Sequence, residues 1–147
     1  MSKKKLVSDK KTLVFKTSAE KIHGSSFKEI SKAAELIFKR IKSRTKRTPY
    51  IRSKYFRSEK IFLSIFWHHL HQKHEKDRVR RLQFYACAID LLKNSTLDPE
   101  TRENFKQKNE LLHRFLGQTK SRENFVVQIK ENKRTKRKDF ISIFPLK

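Results

Sequence analysis

The excess of positive charge limits the folding of this chain more than any other feature of its sequence. Among 147 residues there are 38 lysines and arginines against 15 aspartates and glutamates, a formal net charge of +23. Self-repulsion of that size in a small body requires a polyanion to offset it. Nucleic acid is the usual one, and an anionic membrane surface is the weaker alternative. The sequence therefore predicts RNA as a partner, with DNA as the other nucleic acid it would accept.

The apolar residues are few but bulky. Hydrophobic residues make up 35% of the chain, and the 12 phenylalanines among them supply enough large side chains for one core. We predict a basic, partly flexible segment at residues 1–24, whose first ten residues are mobile, followed by a single domain at residues 25–147. Because there are only 2 glycines and 3 prolines, Gly-rich phosphate loops and dinucleotide-binding motifs are excluded.

The spacing of apolar residues predicts an α+β fold. Helical spacing predicts helices over residues 26–43, 59–73 and 77–94, and the last two would form an antiparallel pair. The first helix opens on Ser26-x-x-Glu29, which has capping-box spacing. Short runs rich in Phe, Val and Ile at residues 111–116, 125–130 and 140–144 predict a meander of three strands, after a loop at 94–109. The run at residues 13–15 is either an edge strand or a docking segment. The expected architecture is a helical N-terminal half followed by a three- to four-stranded antiparallel sheet.

We predict that nucleic acid binds to two basic stretches, at residues 39–60 and 133–138. In the first, Tyr50, Tyr55 and Phe56 are interleaved with the charges, and alternating cations and rings are typical of single-strand binding sites. The alternative is a solvated connector whose rings pack into the core. The candidate nucleic-acid-binding residues are Lys39, Arg40, Arg44, Lys46, Arg47, Arg52, Lys54, Tyr55, Arg57, Arg78, Arg81, Lys133, Arg134, Lys136, Arg137 and Lys138.

Side-chain alternation suggests where chemistry would occur. If Ile141 and Ile143 face the core, Ser142 shares the open side of the sheet with Gln128 and Lys130, and Phe140 points with Ser142. Of the neighbours His113 and Arg114, only one can join that side. Metal-independent RNA cleavage needs a base, an acid and a cation. We therefore predict His113 as acid or base, Arg114 and Lys130 as charge, and Ser142 as a positioning group. The alternative is an ordinary polar sheet face.

The remaining histidines and the cysteine do not indicate a metal site or a nucleophile. The histidines His68, His69, His71 and His74 lack neighbouring cysteines and lie among cations, so we predict no metal and no other cofactor. They would extend the phosphate-binding surface or pack on aromatic neighbours. The single cysteine, Cys87, lies in an apolar run and is expected to be buried. No apolar stretch approaches membrane-spanning length and no secretory signal is evident, so we expect no membrane association and a cytoplasmic location.

The order of these parts resembles the phage-associated and toxin-type ribonucleases of the superfamily that groups barnase, EndoU, colicin nuclease domains and RelE-like toxins. The matching parts are a helical half with the runs Phe62-Leu63-Ser64-Ile65-Phe66-Trp67-His68-His69-Leu70 and Asp77-Arg78-Val79-Arg80-Arg81-Leu82, followed by strands around residues 113–117, 125–131 and 138–145. The resemblance implies a metal-independent endoribonuclease with Ser142 on the last strand as an active group and Arg114, Lys130 and Lys138 as cations. For a toxin it also implies an acidic antitoxin partner.

Overall fold

A computed structural model describes residues 13–146, and in this range the chain forms four helices and a mixed sheet of seven strands. The helices are α1 (Phe27–Ser43), α2 (Ser64–His71), α3 (Glu75–Leu82) and α4 (Tyr85–Asn94). The strands are β1 (Phe15–Lys16), β2 (Tyr50–Ser53), β3 (Glu59–Phe62), β4 (Glu100–Glu103), β5 (Glu110–Gln118), β6 (Asn124–Asn132) and β7 (Lys138–Pro145). The predicted mobility of the first ten residues lies outside the described range.

The sheet runs in the order β1-β5-β6-β7-β3-β2, and β4 pairs with β5. The antiparallel meander β5-β6-β7 agrees with the three strands predicted for the last third of the chain. The predicted fold class is wrong, however, because β1 and β3 add to this meander in parallel, beside β5 and β7 respectively. The helices therefore lie in the middle of the chain, between strands of one sheet. These parallel pairings join strands that are far apart in sequence. The local spacing of apolar residues does not predict such pairings.

The helix predicted over residues 59–73 is wrong in its first part. Glu59–Phe62 forms strand β3, which pairs with β2 from Tyr50↔Phe62 to Ser53↔Glu59, and α2 begins only at Ser64. Ile61 is fully buried in the sheet. A short apolar run of this kind suits a buried strand as well as a helix, so its spacing alone does not decide between them.

The helix predicted over residues 77–94 divides into α3 and α4, so the antiparallel pair does not form from two continuous helices as predicted. The division falls at Gln83 and Phe84, where the Phe84 ring packs 5.2 Å from the ring of Phe125. The loop predicted over residues 94–109 contains the exposed strand β4. The predicted start of α1 is confirmed: the Ser26 hydroxyl accepts a hydrogen bond from the Glu29 amide. The Glu29 carboxylate, by contrast, accepts from Ser25 rather than from Ser26.

The helices cover one side of the sheet, which we call the helix side, and the opposite side is the open face. On the helix side Phe66 of α2 stacks on Phe140 of β7 with ring centroids 4.6 Å apart. A bulge shifts the register so that Gln128 pairs with Ser142 but Ile129 pairs with Phe140. Phe140 therefore faces the core, and the prediction that it points with Ser142 is wrong. A bulge adds one residue to a strand and reverses the alternation after it.

Candidate nucleic-acid interface

The two basic stretches predicted from sequence meet at one end of the sheet. Residues 39–60 end in the β2–β3 hairpin, and residues 133–138 form the turn that leads into β7. Strands β3 and β7 pair at Phe62↔Asp139, and the Lys138 ammonium lies 2.5 Å from the Glu59 carboxylate. The fold thus combines two cationic segments that are separated by more than seventy residues in sequence.

Cations and aromatic rings form a patch on the open face of the hairpin. Tyr50 lies opposite Phe62, and Arg52 lies opposite Lys60, so all four side chains point to the same side. The Tyr50 and Phe62 rings are 6.1 Å apart. The Lys60 ammonium lies 4.6 Å from the Tyr50 ring centre, and the Arg137 guanidinium lies 4.2 Å from that of Phe62. We call these five residues the hairpin patch.

The open face continues from the hairpin patch across β7, β6 and β5. Arg114, Gln128 and Ser142 are successive partners in the strand register, and the Arg114 Nε donates to Gln128 Oε1 at 2.8 Å. Two guanidinium groups lie near the Phe144 ring, that of Arg81 at 5.1 Å and that of Arg114 at 5.7 Å from its centre. Arg81 also donates to the Ile143 carbonyl oxygen at 2.6 Å. This part of the face therefore repeats the combination of cation and ring.

The structure brings together three of the four predicted catalytic residues. Arg114, Lys130 and Ser142 share the open face, where Lys130 lies 3.7 Å from the Glu110 carboxylate. Within the described residues, the Ser142 hydroxyl has no hydrogen-bond partner. His113 faces the helix side, as its neighbour Arg114 requires. The four residues therefore do not converge on one point.

A chain of polar side chains crosses five strands on the helix side. His113 Nδ1 lies 2.8 Å from the Thr101 hydroxyl, and its Nε2 lies 2.7 Å from Glu131 Oε1. The other oxygen of Glu131 is 3.8 Å from the Lys138 ammonium, which also bonds Glu59. Bonding to Lys138 and its positive charge lower the pKa of Glu59 below its ordinary value. We call Thr101, His113, Glu131, Lys138 and Glu59 the cross-strand chain.

Sequence reasoning missed Thr101, Glu131 and Glu59. A signal was present for Glu131, because it has the same parity on β6 as the buried residues Val127 and Ile129. A carboxylate at the end of such a core-facing series requires a buried partner, which is here His113. The partners of Glu59 and Thr101 were not predictable, because β3 and β4 themselves were not predicted as strands.

Of the three rings interleaved with the basic residues, only Tyr50 lies on the open face. The Tyr55 ring packs 5.4 Å from Phe115, and the Phe56 ring packs 5.3 Å from His113, so the core-packing alternative describes these two. Burial, and then the neighbouring Asp98 carboxylate, raise the pKa of Tyr55. The Tyr55 phenol is therefore protonated at neutral pH.

The other predicted binding residues have varied positions. Five are exposed on the C-terminal half of α1 and the loop after it, on the helix side: Lys39, Arg40, Arg44, Lys46 and Arg47. Four are exposed on the two turns beside the patch: Lys54, Arg57, Arg134 and Lys136. Arg78 donates to the Lys73 carbonyl oxygen inside the helical layer, and Lys133 binds Glu103 at 2.7 Å.

Cys87 is buried, as predicted, and burial raises the pKa of its thiol to about 11. It is therefore uncharged at neutral pH and a poor nucleophile. The residues His68, His69, His71 and His74 are exposed. Within residues 13–146, no helix combines the length and hydrophobicity of a membrane span.

Comparisons with protein-family models, with curated proteins and with solved structures give no match to this chain.

Proposed function

We propose that this protein binds single-stranded nucleic acid, RNA in the first place, along the open face of its sheet. The observation that carries the proposal is the hairpin patch, in which Tyr50 and Phe62 lie side by side with Arg52, Lys60 and Arg137 around them. Rings that present a face stack on bases, and neighbouring cations hold the phosphates between those bases.

Single strands fit this patch better than a duplex does. Bases in a duplex are stacked on each other and are not available to protein rings, whereas the bases of a single strand can leave the stack. Tyr50 and Phe62 are half-buried and their rings pack against each other, which restricts their orientation before binding. A ring that is already ordered loses less conformational entropy on binding.

The test is equilibrium binding of a fluorescent single-stranded RNA, compared with its duplex form. Stacking contributes about 1–3 kcal/mol per base, so Tyr50→Ala should weaken single-strand binding by about 5- to 140-fold, and Tyr50→Phe should retain most of it. The matched control is Phe27→Ala, which removes a ring paired with Arg78 at 5.6 Å on the helix side. Equal affinity of wild-type protein and Tyr50→Ala, or equal affinity for duplex and single strand, would contradict the proposal.

A second candidate function is metal-independent endoribonuclease activity, and the cross-strand chain is the observation that favours it. Glu131 divides its two oxygens between His113 and Lys138, and all three side chains are almost fully buried. Buried ionisable side chains that bond each other beside a cleft are typical of acid–base sites. In this candidate Glu131 accepts the ribose 2′-hydroxyl proton, the O2′–phosphorus bond forms and the phosphorus–O5′ bond breaks. The O5′ leaves with a proton from solvent, and Lys138 stabilises the phosphorane charge. The acidic antitoxin implied by the resemblance, and a cytoplasmic location, belong to this candidate.

Incubation of the protein with end-labelled RNA and a chelator tests this candidate. It predicts products with cyclic phosphate ends, lost in Glu131→Gln while RNA binding persists. The alternative derived from sequence predicts loss in His113→Ala, Arg114→Ala or Ser142→Ala. The last two variants distinguish it, because Arg114 and Ser142 lie on the open face and His113 belongs to the cross-strand chain. Intact RNA under conditions of saturated binding would rule out cleavage and leave the binding function in place.

A further inference from the structure

A cleft of about 330 Å³ opens where the two basic turns meet. One wall comes from the β2–β3 turn with Tyr55 and Arg57, and the other comes from the β6–β7 turn with Lys136. Glu131 and Lys138 of the cross-strand chain form its inner end. The cleft lies beside the hairpin patch, because the guanidinium of Arg137, on the same β6–β7 turn, lies 4.2 Å from the Phe62 ring centre.

Both turns place a long cation at a backbone position that normally favours glycine or asparagine. Arg57 has φ of 55° and Lys136 has φ of 66°, and such left-handed angles are uncommon for other residue types. Both side chains line the same cleft. Strained positions of this kind concentrate at functional sites.

The charges of the cleft leave it attractive to an anion. Its two carboxylates are already engaged, Glu131 by His113 and Glu59 by Lys138. Lys138 is satisfied in addition by the Lys136 carbonyl oxygen at 2.9 Å. Among the residues that the structure describes, Arg57 and Lys136 have no acidic partner within ion-pair distance. These two cations are available to a phosphate.

The volume of the cleft and its aromatic side chains indicate which kind of anion it binds. A volume of about 330 Å³ is at the lower end of the roughly 300–1,000 Å³ range of small-molecule sites, which suits one nucleotide. The half-buried Tyr55 and Phe56 give the cleft an aromatic side. We propose that the cleft binds a single nucleotide, with its phosphate on Arg57 and Lys136 and its base or sugar against Tyr55. This rests on the proposed binding of nucleic acid and assigns to that strand a second contact beyond the hairpin patch.

The experiment measures binding of the four nucleoside 5′-monophosphates by chemical shift perturbation, with inorganic phosphate as the comparison. The test variants are Arg57→Asn and Lys136→Asn, since asparagine tolerates the left-handed backbone. Each should weaken binding by about tenfold or more, because a charge-assisted hydrogen bond to phosphate is lost. The matched control is Arg122→Asn, a cation with φ of 66° at the β5–β6 turn, on the opposite end of the sheet.

Unchanged nucleotide affinity in Arg57→Asn and Lys136→Asn would overturn the inference. So would equal affinity for inorganic phosphate and nucleotides, because the aromatic side would then contribute nothing. The cleft proposal and the proposed binding of single-stranded nucleic acid can be contradicted independently of each other. Tyr50→Ala should weaken oligonucleotide binding but leave mononucleotide binding in the cleft unchanged. If the wild-type protein binds mononucleotides but no oligonucleotide, the cleft proposal stands and the proposed binding of a strand is contradicted.

Discussion

Gly117 lies at a tightly packed position of this fold. It lies opposite Phe125 in the β5–β6 register, and a Cβ atom there would be 2.5 Å from the Phe125 ring and 2.8 Å from a methyl group of Leu91. Phe125 is fully buried, so its ring has no free space to move into. The absent side chain of Gly117 is what allows α4 and the ring to meet over the sheet.

We therefore expect Gly117→Ala to lower the free energy of unfolding by about 1–3 kcal/mol. Urea unfolding followed by circular dichroism measures it. Gly24→Ala is the control. Gly24 lies in an exposed loop and its nearest contact is a side-chain carbon of Ile30 at 3.0 Å, so a smaller loss is expected there. Equal losses in both variants would show that the β5–β6 face is not tightly packed.

Lys138 gives the molecule a pH dependence with a definite sign. Its ammonium lowers the pKa of Glu59 in the folded protein below the ordinary value of 4.5. A carboxyl group with a lowered folded pKa stabilises the fold above its ordinary pKa, and that contribution is lost as the pH falls through the folded pKa. Stability should therefore decrease on acidification below about pH 4.5.

Urea unfolding of wild-type protein and Lys138→Met, from neutral pH to about pH 3, tests this. The variant should be less stable at neutral pH by about 1–3 kcal/mol, because Glu131 loses a buried partner, and it should lose less on acidification. If both proteins follow parallel pH curves, the pairing of Lys138 with Glu59 does not stabilise the fold.

Among the elements, those with strong local periodicity were predictable and those held by distant partners were not. Helix α1 follows from its cap and apolar face, and β5, β6 and β7 follow from Val- and Phe-rich alternation. Strand β3 was predicted as helix because Ile61 and Phe62 suit either structure, and its partner strand β7 begins 76 residues after β3 ends. The bulge at Ile141 likewise has no local signal, since neither glycine nor proline marks it.

The candidate site shows the same division. Its cations and Tyr50 were predictable from composition and interleaving, and His113 and Lys138 were named as functional residues. The position of His113 beside Glu131 was not predictable, because it depends on the β5–β6 register. The cleft was not predictable either, since it exists only where turns from β2–β3 and β6–β7 meet.

One side chain of α4, Asp90, helps to attach the segment before α1 to the domain. The Asp90 carboxylate accepts hydrogen bonds from the backbone amides of Ser18 at 2.6 Å and Ala19 at 3.1 Å. Thr17 just before them is buried and bonds the Gln118 carbonyl oxygen, which continues the parallel pairing of β1. Asp90 therefore couples the N-terminal segment to the helical layer.

Asp90→Ala should accelerate hydrogen exchange at the Ser18 and Ala19 amides and lower the free energy of unfolding by about 1–3 kcal/mol. Amide exchange measured by NMR gives both amides separately. Asn94→Ala is the control, because Asn94 donates to the other oxygen of the same carboxylate at 2.8 Å and touches neither amide. Protection that persists in Asp90→Ala would mean that the other contacts of the segment, such as the β1 pairing and the Ile22 amide bond to the Gln83 carbonyl oxygen, hold it without Asp90.

For the whole molecule, the distribution of charge matters more than its total. Exposed cations occur on α1, on the two turns and on the hairpin, so the net charge attracts any polyanion. The proposed specificity for a single strand comes from the smaller set on the open face, where cations surround rings. Cations on α1 would contribute to long-range attraction without contacting a strand bound to the sheet.

The salt dependence of single-stranded RNA affinity tests the central claim most directly. Each phosphate contact adds about 0.7 to the negative slope of log affinity against log salt concentration. Arg52→Gln with Lys60→Gln should therefore reduce the slope by about 1.4, whereas Lys28→Gln with Lys32→Gln on α1 should leave it nearly unchanged. Equal slopes for the two double variants would contradict the assignment of the phosphate contacts to the open face.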